Sequence, residues 1–110
     1  MGITHQMHKG ATEVAKGFRQ LNKAGNAIAN DDVDKAARHL DKALKDFDKA
    51  VDHFANAEDD AYDKAGKEID KGNEELQKSL DEFGKGNADK GQKYLDKATD
   101  NFDKALDLVG

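Results

Sequence analysis

The stretch VDKAARHLDKALKDFDKAVDHF, residues 33–54, decides the fold because a second version of it follows at residues 88–109. The second version is ADKGQKYLDKATDNFDKALDLV, and 11 of the 22 aligned positions are identical. A duplication of this length makes each half one supersecondary unit that buries its apolar face against the other. The sequence therefore predicts a single domain, residues 1–110, made of a first repeat, 1–55, and a second repeat, 56–110.

Apolar or small residues recur at alternating steps of four and three, the spacing of helices that pack along one seam. In the first repeat the seam residues are Met7, Ala11, Val14, Phe18, Leu21, Gly25 and Ile28, then Val33, Ala37, Leu40, Leu44, Phe47, Val51 and Phe54. Small residues beside the second and fourth seams allow close helix approach, namely Ala36, Ala43, Ala50, Gly91, Ala98 and Ala105. The pattern predicts helices over residues 5–29, 32–55, 57–84 and 88–109.

Short turn segments separate these helices, and the chain contains no proline. We expect Asp31 or Asp32 to cap the second helix, and Asn87 to cap the fourth. The segment NAEDD, residues 56–60, should begin the third helix, and Gly84 should end it in the left-handed conformation. Helices joined by such short connections run antiparallel. The predicted fold class is all-α, an antiparallel up-down-up-down four-helix bundle made of two duplicated αα-hairpins.

Glycines inside the predicted helices have two open interpretations. Each costs about 1 kcal/mol of helix stability relative to Ala, so either they allow close packing, or Gly25 and Gly66 leave room in the seam for an apolar ligand. Asn73 stands in the third seam where Phe18 stands in the first. A polar seam residue is typical of a position that fixes helix register, and a ligand contact or an edge position is the alternative.

Composition and charge exclude several classes of function. Without cysteine there is no disulfide, thiolate metal site or cysteine nucleophile. Residues 1–55 carry nine Lys and Arg against eight Asp and Glu, and residues 56–110 carry nine against fifteen, which gives the net charge of −5. With Arg19 and Arg38 as the two arginines and no basic stripe, we expect no nucleic-acid partner.

No apolar run approaches the roughly 20 residues of a membrane span. We therefore expect a soluble protein, cytoplasmic or, after removal of a leader, periplasmic.

The motifs of common catalytic and cofactor sites are missing from the sequence. No Glu is followed three residues later by His, which excludes the carboxylate-bridged di-iron bundle. There is no glycine-rich phosphate loop and no HExxH motif, and Ser79 is the only serine. We therefore expect no enzyme activity and no catalytic residue.

Three of the four histidines are predicted to meet at one end of the bundle. His8 lies opposite His53 when the first two helices are aligned as a hairpin, and His5 lies almost one turn from His8. The start of the third helix brings Glu58, Asp59 and Asp60 to the same end as supporting carboxylates, beside Asp52 of the second helix. Mixed nitrogen and oxygen ligands suit Cu, Ni or Zn, and an ordinary surface role for these histidines is the alternative. His39 lies about 21 Å from His53 along its helix, too far to join.

The stretch GNAIANDDVDKAARHLDKAL, residues 25–44, resembles the middle of a tetratricopeptide repeat. Gly25, Ala36 and Ala43 stand at the small-residue positions of that family, and Leu40 stands at its large one. The resemblance implies an αα-hairpin. It does not carry over a peptide-binding groove, because the period of 55 differs from that family's 34 and no proline closes the second helix.

Residues 33–54, through His39 and His53, also resemble the small periplasmic metal-binding four-helix proteins. That resemblance implies binding of copper, nickel or zinc through histidine. Tyr94 and Leu108 occupy the copied histidine positions in the second repeat, so it implies low capacity.

Three functions follow as hypotheses. The first is a non-catalytic binding or interaction protein that presents a helical face to a protein partner or to a second copy of itself. The second is low-capacity binding of Cu, Ni or Zn through His5, His8 and His53. The third is carriage of an apolar small molecule in the seam beside Gly25 and Gly66.

Overall fold

The computed structural model describes residues 2–109 as four helices: α1 Gly2–Ala29, α2 Val33–Ala55, α3 Asp60–Gly84 and α4 Ala88–Val109. No strand occurs in this range, which confirms the predicted all-α class. Helix α1 packs along α2, α2 against α3, and α3 along α4. Together they form an elongated bundle of 45 × 18 × 17 Å. Met1 and Gly110, the outer bounds of the predicted domain, lie outside the described residues.

The turn between α1 and α2 places Asp31 in the left-handed region, with φ 59°. Asp32 caps α2, as predicted, because its side chain accepts a hydrogen bond from the backbone N–H of Lys35 at 3.2 Å. Helix α3 ends at Gly84, as predicted, but Gly84 is not the left-handed residue of the turn. Gly84 is still helical, and Gly86 takes the left-handed conformation with φ 82°.

The α1–α2 and α3–α4 turns have the same backbone hydrogen bonds at positions 55 residues apart in the chain. The N–H of Asp32 donates to the carbonyl of Ala27 at 2.8 Å, and the N–H of Asn87 donates to the carbonyl of Glu82 at 2.9 Å. The two left-handed residues make corresponding bonds as well. The N–H of Asp31 donates to the carbonyl of Ile28 at 3.0 Å, and the N–H of Gly86 donates to the carbonyl of Phe83 at 3.1 Å. Both turns are therefore Schellman motifs, which satisfy the last carbonyls of the preceding helix.

The connection between α2 and α3 is longer than the sequence predicted. Glu58 has φ 54°, and Asp59 is extended, so the helix cannot begin at residue 57. The Asp59 carboxylate caps α3 by accepting from the N–H groups of Ala61 at 2.9 Å and Tyr62 at 3.2 Å. Asp59 is thus the acid of the NAEDD segment that fixes the start of α3.

Three phenylalanine side chains pack against one another in the middle of the core. The rings of Phe47 and Phe102 stack with centroids 3.7 Å apart, and Phe18 meets both edge-on. The small residues that were expected to allow close helix approach are all buried: Ala36, Ala43, Ala50, Gly91, Ala98 and Ala105. At the α2–α3 contact, buried Asn73 donates its Nδ2–H to Oδ1 of Asp48 at 3.0 Å.

Four buried glycines lie directly under phenylalanine rings: Gly10 under Phe54, Gly17 under Phe47, Gly72 under Phe102 and Gly91 under Phe83. A methyl group at Gly17 would lie 2.6 Å from Cζ of Phe47. Gly25 differs, since it is exposed and has no atom within 4 Å of an added Cβ. Gly25 thus faces solvent, which does not support the interpretation that it leaves room in the seam for an apolar ligand. At buried Gly66, an added Cβ would lie 3.9 Å from Cβ of Phe54, an ordinary van der Waals distance.

Candidate functional site

A surface depression between α1 and α2 brings together two of the three predicted metal ligands. It is lined by His8, Lys9, Thr12, Glu13 and His53. The Nδ1–H of His53 donates to Oε1 of Gln6 at 2.7 Å. Because Oε1 can only accept, this bond puts the proton on Nδ1 and leaves Nε2 as the basic nitrogen of the neutral ring.

The other predicted members of the site lie outside this depression. His5, Asp52, Glu58 and Asp60 are exposed, and Asp59 is engaged as the cap of α3. Within residues 2–109, no group of three or more His, Asp or Glu side chains is arranged to hold a metal ion. The structure therefore places His8 and His53 in one depression. The carboxylate beside them is that of Glu13, and not one of the acids at the start of α3.

Three residue pairs, evenly spaced two helical turns apart, face each other along the α1–α2 edge: Gln6–His53, Glu13–Asp46 and Gln20–His39. The Nδ1–H of His39 donates to Oε1 of Gln20 at 2.8 Å, as His53 does to Gln6. These two hydrogen bonds were not predicted from the sequence. Their signal was that the two glutamines are separated in the chain by the same interval as the two histidines.

Two of these pairs contain a residue with a shifted pKa: Asp46, which faces Glu13, and His39, which is bonded to Gln20. Burial, and then the negative charge of Glu13, raises the pKa of Asp46. Oε2 of Glu13 is itself buried without a hydrogen-bond partner. Partial burial, followed by the positive charges of Lys42, Lys23, Lys35 and Arg38, lowers the pKa of His39.

The end of α4 exposes large apolar side chains. Leu106 is 40% exposed and Leu108 is 41% exposed. At about 100° per residue they lie at the two edges of the arc that contains buried Ala105 and half-buried Val109. The apolar face of α4 is therefore wider at this end than the surface that its neighbours cover.

No protein-family model, no curated protein and no solved structure matches this chain. Of the helices formed by residues 2–109, none combines the length and the apolar character needed to cross a membrane.

Proposed function

We propose that this chain is a non-catalytic interaction protein, whose bundle is an antiparallel up-down-up-down arrangement of two duplicated αα-hairpins. Two observations support the architecture. The two Schellman turns correspond bond for bond at equivalent positions of the two repeats. The pairs Gly17–Phe47 and Gly72–Phe102 are likewise equivalent.

The exposed apolar end of α4 carries the functional part of the proposal. In the first repeat, the counterpart of Leu106 is half-buried Val51, and the counterpart of Leu108 is His53, which is hydrogen-bonded to Gln6. The second repeat has leucines at both positions, which favours contact with another apolar surface over contact with water. We propose that this end of α4 binds the apolar face of a helical partner, including that of a second copy of the chain.

Sedimentation velocity over about 10 μM to about 1 mM protein tests this proposal, because a small interface gives weak association. We expect wild-type sedimentation to depend on concentration, and the Leu106→Ser/Leu108→Ser variant to remain monomeric. Val33→Ser is the matched control, since Val33 is 38% exposed but lies at the start of α2. A wild-type chain that is monomeric throughout would contradict the proposal.

A second candidate function is low-capacity binding of Cu, Ni or Zn. It is favoured by the depression that His8 and His53 share, and by the Gln6 bond, which orients His53 as the partners of metal-bound histidines do. Glu13 would supply the third ligand after rotating away from Lys16, with which it forms an ion pair at 3.4 Å. His5 and the carboxylates Asp52, Glu58, Asp59 and Asp60 would support the site only after local rearrangement.

Calorimetric titration with each metal tests this second function. We expect binding heat that is lost in His8→Ala/His53→Ala and kept in His39→Ala, which removes the other glutamine-bonded histidine. No heat at micromolar metal would exclude it.

A further inference from the structure

The end of α1 and the start of α2 form a polar depression, away from the apolar end of α4 and from the depression between His8 and His53. It has a volume of about 400 Å³ and is lined by Lys23, Asn26, Ala27, Asn30, Asp32, Lys35 and His39. The side chains supply two ammonium groups, two amides and an imidazole. The one carboxylate of the lining, that of Asp32, accepts from the N–H of Lys35 as the cap of α2.

We propose that this depression binds a phosphate oxyanion, either free inorganic phosphate or the phosphate group of a small ester. Phosphate needs several N–H donors and positive charge close together, and the lining supplies both groups around one depression. The proposal is independent of the apolar end of α4 and of the depression between His8 and His53.

The two ammonium groups of the lining outnumber its one carboxylate, that of Asp32, so the cluster keeps a net positive charge. Among the side chains from residue 4 to residue 109, the ion pairs use other lysines: Lys16, Lys45, Lys67, Lys71, Lys78 and Lys85. Lys23 and Lys35 in the lining, and Arg38 and Lys42 beside His39, therefore retain their charge for a ligand.

In the second repeat, the corresponding cluster has acidic side chains beside its lysines, which offset their positive charge. Tyr94 stands where His39 stands, with Nζ of Lys78 5.8 Å and Nζ of Lys97 5.5 Å from the centre of its ring. Glu75 replaces Gln20 and forms an ion pair with Lys78 at 3.5 Å. The acids Glu74 and Glu75 thus occupy the positions of Arg19 and Gln20. The difference assigns the anion site to the first repeat alone.

The pKa of His39 should report binding of an anion in this depression. The charges that act on the ring are cationic, from Lys23 on α1 and from Lys35, Arg38 and Lys42 on α2, and with burial they lower its pKa. Asp32 is the acidic group of the lining, and Gln20 is the neutral partner at Nδ1. A bound dianion would offset the cations and stabilise the imidazolium, so binding should raise the pKa of His39.

NMR titration of the histidine rings in the full chain tests the proposal, with the other histidines as internal references. We expect inorganic phosphate, at constant ionic strength, to shift the His39 signals with saturation at a Kd of about 1–10 mM. We also expect the pKa of His39 to rise, while phosphate leaves the signals of His5, His8 and His53 nearly unchanged. Glycerol phosphate is the second probe, and tighter binding of it would identify an ester as the preferred source of the phosphate group.

Matched variants separate a site from general screening. Lys23→Gln/Lys35→Gln should weaken phosphate binding at least about fivefold, because both ammonium groups contact the anion. Lys78→Gln/Lys90→Gln removes the counterparts of these lysines in the second repeat and should leave binding unchanged. The proposal is overturned if all four histidines shift alike without saturation, or if the two double variants have the same affinity.

Discussion

Phe47 and Phe102 lie 55 residues apart in the chain, and their rings stack face to face, with planes at 15° and centroids 3.7 Å apart. Both side chains are almost completely buried. Each ring lies on a glycine of the preceding helix, Phe47 on Gly17 and Phe102 on Gly72. The stack therefore joins α2 to α4 at the centre of the core, and the glycines set how closely α1 and α3 approach the rings.

Replacing Gly72 by Ala should destabilise the protein although Ala is the better helix former. The added methyl group would overlap the ring of Phe102. Overpacking of this kind costs about 1–3 kcal/mol, more than the helix-propensity gain of about 1 kcal/mol at most sites. Urea denaturation should show a lower free energy of unfolding, and Gly17→Ala should behave in the same way.

Gly25→Ala is the control for this prediction. An added Cβ at Gly25 meets no atom within 4 Å, so the change should stabilise the protein by about 0.5–1 kcal/mol. In a double-mutant cycle, Phe102→Leu should cost less in the Gly72→Ala background than in wild type. Equal destabilisation by Gly25→Ala and Gly72→Ala would contradict the assignment of Gly72 to a ring contact.

The helices could be predicted from the sequence because seam residues recur at regular steps, but the role of each glycine could not. Gly17 and Gly25 lie on the same helix and look alike in a pattern of small residues. They differ in what lies across from them, a ring at Gly17 and solvent at Gly25. The left-handed residue after α3 was misplaced for a related reason, since Gly84 and Gly86 both suit a left-handed cap and only the backbone of the turn selects Gly86.

Asp31 should be a site for stabilisation, because it occupies the left-handed position that Gly86 fills in the other turn. A residue with a side chain is strained there relative to glycine. Asp31→Gly should raise the free energy of unfolding by about 0.5–1 kcal/mol in thermal or urea denaturation. Gly86→Asp, the reverse change in the matching turn, should lower it by a similar amount. A loss of stability in Asp31→Gly would refute the account.

His39 should make the protein less stable in mild acid. Its folded-state pKa is lowered, so the unfolded chain binds the proton more readily, and stability falls as the pH drops below about 6.5 towards that lowered pKa. Above the unfolded-state pKa this loss is absent. His39→Gln should reduce the fall in stability between pH 7.5 and pH 5, measured in chloride without phosphate. An unchanged pH profile in the variant would assign the acid sensitivity to other groups.

The candidate site was partly predictable for a clear physical reason. Pairing the seams of a hairpin places His8 opposite His53, and the two do line one depression. The carboxylates could not be placed in this way, because Asp59 caps α3 and the turn at Glu58 changes the direction of the chain before α3 begins. The cluster around His39 was missed because its cations come from two helices and form no stripe in the sequence.

Asp46→Asn should stabilise the protein at neutral pH. Asp46 faces Glu13 across the α1–α2 edge, and burial together with that like charge raises its pKa. The second repeat has Asn101 at this position, opposite Glu68. An amide removes the repulsion and can donate to the buried Oε2 of Glu13. We expect the free energy of unfolding to rise by about 0.5 kcal/mol.

This gain should depend on pH. Because the folded-state pKa of Asp46 is raised, the destabilisation in wild type is present above that pKa and is relieved as the pH falls through it. The difference in unfolding free energy between variant and wild type should therefore be largest near pH 7 and shrink towards pH 4. A difference that stays constant over this range would show that the charge of Asp46 is not its cause.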